Sequence, residues 1–105
     1  MIHERDLQSK CLAWVREHPE IYVINMHGDG WNGNGTPDLT LCVNGRFVAA
    51  ELKVGENGLS GAQRIHRKRI LRSGGIFFAP YTLGEFVSRI EVIMDDGRIR
   101  HSERE

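Results

Sequence analysis

The sequence predicts an α/β fold, a small mixed β-sheet flanked by helices in the order α-β-β-β-α-β-α. Three observations carry that reading. Apolar residues recur at helical spacing in the first and last thirds of the chain. Short β-branched and aromatic runs lie between them. Two of those runs are joined by Asn44-Gly45, the strongest short-range hairpin signal. The 105 residues suit one domain, 1–105, and are too few for two ordinary cores.

The elements follow in order. Leu7, Cys11, Trp14 and Val15 share one helical arc, predicting a helix over residues 4–18 that Pro19 stops. Ile21-Tyr22-Val23-Ile24 reads as a strand. Residues 28–35 hold four glycines and two asparagines and read as a loop. Residues 39–43 and 47–53 are strands joined by the hairpin turn. Ser60 is a candidate N-cap for a helix running to about Ser73, ended by Gly74-Gly75. Ile76-Phe77-Phe78-Ala79 is a fourth strand closed by Pro80, residues 83–93 are a third helix, and the tail adds a short strand near Ile99.

Composition bounds the function. At 40% hydrophobic and 27% charged, the chain is that of a globular protein, and no apolar run is long enough to span a membrane. The charged opening, Met1 to Asp6, lacks the apolar segment of a signal peptide, and Cys11 and Cys42 have no zinc spacing. The expectation is a cytoplasmic protein with reduced thiols and no membrane partner. Fourteen basic and fourteen acidic residues cancel, yet Leu59 to Gly84 contains no acid and holds Arg64, Arg67, Lys68, Arg69 and Arg72. A run of arginines is ordinarily a solvated face, but an acid-free stretch of this kind also suits phosphate backbones.

The hairpin turn pairs Val43 with Arg46, Leu41 with Val48 and Leu39 with Ala50, and then Asp38 with Glu51. Directly opposed residues have Cβ atoms roughly 4.5–5.5 Å apart on one face. Lys53 shares that face, while Leu39, Leu41, Val48, Ala50 and Leu52 take the other and form candidate core. Two opposed acids repel unless a positive charge lies between them, and oxygen ligands favour Mg²⁺ or Mn²⁺. An exposed hairpin end with a solvated Glu51–Lys53 pair fits the same pattern. Glu4 lies on the apolar arc of the first helix, as an acid favoured by the helix dipole or as a further carboxylate for the metal. Gln63 opens the basic helix, where it is either a surface residue of a capped first turn or part of the site.

Other motifs fail on context. Gly28-Asp29-Gly30-Trp31-Asn32-Gly33 matches a dinucleotide-binding string but is followed by Thr36-Pro37 and a strand instead of a helix. A calcium loop from Asp29 would put Trp31 and Gly33 at ligand positions. The five histidines show no ligand spacing, and His27 is a weak candidate only because it borders the glycine loop.

Gly35-Thr36-Pro37-Asp38-Leu39, followed by Glu51-Leu52-Lys53, resembles the core motif of the PD-(D/E)xK nuclease superfamily. With Glu4 in an opening helix and Leu59-Ser60-Gly61-Ala62-Gln63 opening the next, the set is similar to the VRR-NUC family, from about Glu4 to about Phe86. The resemblance implies a restriction-endonuclease-like core and Mg²⁺-dependent hydrolysis of DNA, with Mn²⁺ as substitute. It implies that Asp38, Glu51, Glu4 and the Leu52 carbonyl ligate the metal. It also implies that Asp38, Glu51, Lys53 and Gln63 form the catalytic set, with Lys53 acting on the attacking water. Arg64, Arg67 and Lys68 are then the candidate DNA contacts. Stand-alone members this small resemble homodimeric nucleases acting on branched DNA such as four-way junctions. A DNA-binding or replication-accessory module without catalysis is the alternative on the same fold. The Gly/Asn-rich approach over Gly28 to Gly35 departs from the family's pattern.

Overall fold

The computed structural model describes residues 3–25, 36–55 and 58–96. Within them lie α1 (Glu4–Arg16), β1 (Ile21–Asn25), β2 (Leu39–Val43), β3 (Arg46–Ala50), α2 (Gly61–Arg72), β4 (Ile76–Phe78) and α3 (Leu83–Met94). The predicted element order is the observed one. The glycine-rich loop over 28–35, His27 and the expected strand near Ile99 lie outside the described residues.

One four-stranded mixed sheet runs β1-β2-β3-β4. β1 to β3 form an antiparallel meander, and β4 joins β3 in parallel after the α2 crossover. The hairpin turns at Asn44 (φ 53°) and Gly45 (φ 79°), the positive values a tight two-residue turn demands. Its ladder pairs Val43 with Arg46, Leu41 with Val48 and Leu39 with Ala50, as the turn predicts. Asn44 also donates from Nδ2 to the carbonyls of Ile93 (2.9 Å) and Asp96 (3.0 Å), so the turn caps the end of α3.

Alternation sorts the sheet's two faces. Leu39, Leu41, Val43, Val48, Ala50 and Leu52 face one side and are buried with Leu7, Cys11 and Val15 of α1 and Phe86, Ile90 and Ile93 of α3. Phe47 alternates to the other side, where Gly75 lies against Phe47 and Ile70 of α2. α2 itself has no buried residue. Its half-buried residues are Ala62, Gln63, His66 and Ile70, and all of its arginines and Lys68 are exposed. Its apolar residues Ala62, Ile65, Ile70 and Leu71 are scattered around the helix and so mark no inner side, whereas Ala62, His66 and Ile70 share one half-buried arc with the polar Gln63.

Two boundaries differ from expectation by two residues or more. α1 ends at Arg16 instead of running to residue 18, because the residue before Pro19 is disfavoured in helical geometry. His18 turns back instead, its Nδ1 2.8 Å from the Trp14 carbonyl and its ring against the Trp14 indole. β3 ends at Ala50 instead of extending to Lys53. Asp38 and Glu51 therefore fall just beyond the β2–β3 ladder instead of forming its next pair. The cause is local: Asp38 Oδ2 accepts from the Leu52 N–H at 2.9 Å, a side chain doing there what a strand carbonyl would do.

Candidate metal centre

Three separated segments converge at the open end of the hairpin. Glu4 comes from the first turn of α1, Asp38 directly precedes β2, and Glu51 directly follows β3. One carboxylate oxygen from each lies within 4.8 Å of the other two. The backbone fixes this arrangement. Buried Thr36 and Pro37 lead into Asp38. Beyond Ala50 the chain keeps pairing on its other side, with Glu51 N–H donating to the Phe78 carbonyl and Lys53 N–H to the Pro80 carbonyl, both at 3.0 Å. The segment from Phe78 to Pro80 is thus the scaffold for the acid and the lysine. In the sequence Pro80 reads only as the end of a strand, and no residue pattern there signals this scaffold role, which its burial in the structure reflects.

Glu51 is the unusual member. It is 3% exposed, and its Oε2 accepts from Gln63 Nε2 at 2.6 Å. Its Oε1 is buried with no hydrogen-bond partner. A buried carboxylate with an orphan oxygen is costly as it stands, and a bound cation removes the cost. Burial pushes the Glu51 carboxyl up to about 8, reinforced by the neighbouring Asp38 carboxylate, opposed by Lys53 and raised further by Glu4. Glu4, although exposed, rises to about 6: partial desolvation comes first, then Asp38, with Lys53 again opposing. Each of these two acids resists ionising beside its neighbours, and a positive charge placed among them would favour their ionised forms.

Gln63 reaches the site from the first turn of α2. Ser60 Oγ accepts from the Gln63 N–H at 3.1 Å while Gln63 Oε1 accepts from the Ser60 N–H at 2.9 Å, a reciprocal cap. The geometry therefore brings together Glu4, Asp38, Glu51 and Gln63, with Lys53 close enough to act on two of the acids. Leu52 contributes its N–H to Asp38 and its side chain to the core. Arg64, Arg67 and Lys68 do not join this cluster but stand exposed along α2, with Arg64 donating to the Leu59 carbonyl at 2.9 Å. A hollow of about 630 Å³ runs along that helix, lined by Leu59, Gly61, Arg64, Ile65, Lys68 and Leu71.

The donor set fits a hard divalent cation: oxygen atoms only, and one of the buried oxygens without a partner. Among the described residues no helix is long and apolar enough to cross a membrane. No family model matches the chain, and neither a curated protein nor a solved structure matches it.

Proposed function

We propose that the protein is a metal-dependent DNA endonuclease with a restriction-endonuclease-like core of the VRR-NUC kind. The observation that carries this reading is that Glu4, Asp38 and Glu51 each bring a carboxylate oxygen within 4.8 Å of the other two, with Glu51 Oε1 buried and unpartnered and Lys53 close enough to act on Glu51. Asp38 and Glu51 would hold Mg²⁺ or Mn²⁺, with Glu4 and, by the family resemblance, the Leu52 carbonyl completing the oxygen set. A cation held there would supply Lewis-acid chemistry, polarising the scissile phosphate and lowering the pKa of a bound water. The Lys53 ammonium orients that water and offsets charge that builds on the phosphate in the transition state. The basic, exposed face of α2 tracks the DNA backbone. A homodimer acting on branched DNA in the cytoplasm would offer two such sites for two strands.

The test is purified protein with Mg²⁺ or Mn²⁺ on branched and linear DNA. Asp38→Ala and Lys53→Ala should each lower cleavage about a hundredfold or more. Equal cleavage by the variants would mean that the nuclease activity lies elsewhere. DNA binding without any cleavage, abolished when Arg64, Arg67 and Lys68 are replaced by Glu, would instead favour the non-catalytic module, which the exposed basic helix also suits.

A further inference from the structure

Gln63 occupies a position that its place in a helix cap does not explain. A capping box needs only that its side-chain oxygen accept from the Ser60 N–H, and it does so at 2.9 Å. That bond has a second consequence. With Oε1 committed to Ser60, the amide cannot turn over, so Nε2 is the group presented to Glu51, at 2.6 Å from Oε2. A flipped amide would set one oxygen against another and lose both bonds. Glu51 is held in turn: Oε2 belongs to Gln63, and Oε1 is the buried oxygen left without a partner. One amide thus fixes the rotation of a carboxylate that is 3% exposed.

The same amide has a mechanical role. α2 buries none of its residues, so no deep apolar anchor holds it. Near its C-terminal end Ile70 lies by Phe47 and Gly75. Near its N-terminal end the Gln63–Glu51 bond ties it to the hairpin.

We infer that Gln63 is a positioning residue that turns Glu51 so that Oε1 faces the cation, and through which cation binding is transmitted to the basic helix. This rests on the metal-site reading above. Gln63 touches neither cation nor DNA in this role; it acts through Glu51. Metal-ligating carboxylates are commonly oriented by such outer partners, and losing one typically lowers metal affinity 10–100-fold.

The experiment measures Mn²⁺ affinity by calorimetry, together with amide exchange across α2 with and without Mn²⁺. The proteins are wild type, Gln63→Leu, Gln63→Met and Ser60→Ala. Ser60→Ala removes the hydroxyl cap but keeps the backbone N–H that orients Gln63, so it reports helix capping alone. Both Gln63 variants should bind Mn²⁺ about tenfold or more weakly. Ser60→Ala should lower thermal stability with Mn²⁺ affinity unchanged. Mn²⁺ should slow exchange in α2 of the wild type and of Ser60→Ala but not in the Gln63 variants. Gln63→Met, longer and more adaptable, serves if Gln63→Leu does not fold. Wild-type affinity in a folded Gln63 variant would overturn the positioning role alone. No Mn²⁺ binding by the wild type would overturn the metal site and this inference with it.

Discussion

Burying a carboxylate is unfavourable unless its charge is met, and Glu51 meets only part of it: Gln63 at one oxygen, nothing at the other. Its folded value near 8 lies far above the ordinary 4.5. Between those two values the folded protein holds a proton that the unfolded chain releases, so stability falls as pH rises through that window. Glu4 adds a smaller fall between 4.5 and about 6. Thermal denaturation in a chelator should therefore give a lower melting temperature at pH 8 than at pH 5. Glu51→Gln should flatten most of that slope and raise the melting temperature at pH 8, while abolishing Mn²⁺ binding. Asp38→Asn should also shift the slope to lower pH, since the Asp38 charge is the second cause of the Glu51 shift after burial. An unchanged slope in Glu51→Gln, measured by the same denaturation series, would place the pH dependence elsewhere.

The hairpin shows how an element can serve both core and site. Its turn holds Asn44 at φ 53° and uses the Asn44 amide to cap α3 through two carbonyls. Asn44→Gly keeps the conformation and loses the two hydrogen bonds, and should cost about 1–2 kcal/mol. Asn44→Ala loses the bonds and strains the turn as well, and should cost about 2–3 kcal/mol by urea denaturation. Gly75→Ala should destabilise by about 1–3 kcal/mol, because its Cβ would come within 2.9 Å of Ile70 Cγ2 and 3.2 Å of the Phe47 ring. The register of the hairpin is legible in the sequence because a two-residue turn admits one pairing and the alternating apolar residues agree with it. The end of that register is not legible. Asp38 reaches past its expected partner to the Leu52 N–H, and no residue pattern announces a side chain standing in for a strand carbonyl. Nor does pattern indicate which side of α2 faces in, since a helix without a buried apolar stripe has no period to read.

On the scale of the whole molecule, charge is unevenly spread. The net charge is zero, yet the acids of the site come from three segments while α2 carries Arg64, Arg67, Lys68, Arg69 and Arg72, all exposed, and no acid. A cation bound by Glu4, Asp38 and Glu51 would cross-link α1 to both strands of the hairpin and so stabilise the whole fold. Added Mn²⁺ should raise the melting temperature more at pH 8 than at pH 6, since fewer protons compete for the carboxylates. Replacing Arg64, Arg67 and Lys68 by Glu should weaken DNA binding without altering Mn²⁺ affinity. It should also flatten the salt dependence of binding, by up to about 0.9 in log–log slope for each phosphate that is no longer neutralised. That Glu4 could join the site is suggested by an acid on an apolar arc. That it meets Asp38 and Glu51 depends on how α1 packs on the sheet, which local sequence does not encode.

The nuclease reading stands on three carboxylates sharing one cation. Anomalous diffraction from crystals soaked in Mn²⁺ would locate that cation without reference to activity. A peak should appear within ligand distance of Glu4, Asp38 and Glu51, with Glu51 Oε1 among the coordinating atoms and the Gln63 bond to Oε2 retained. A peak bound elsewhere, or an empty cluster whose carboxylates have swung apart, would refute the shared site.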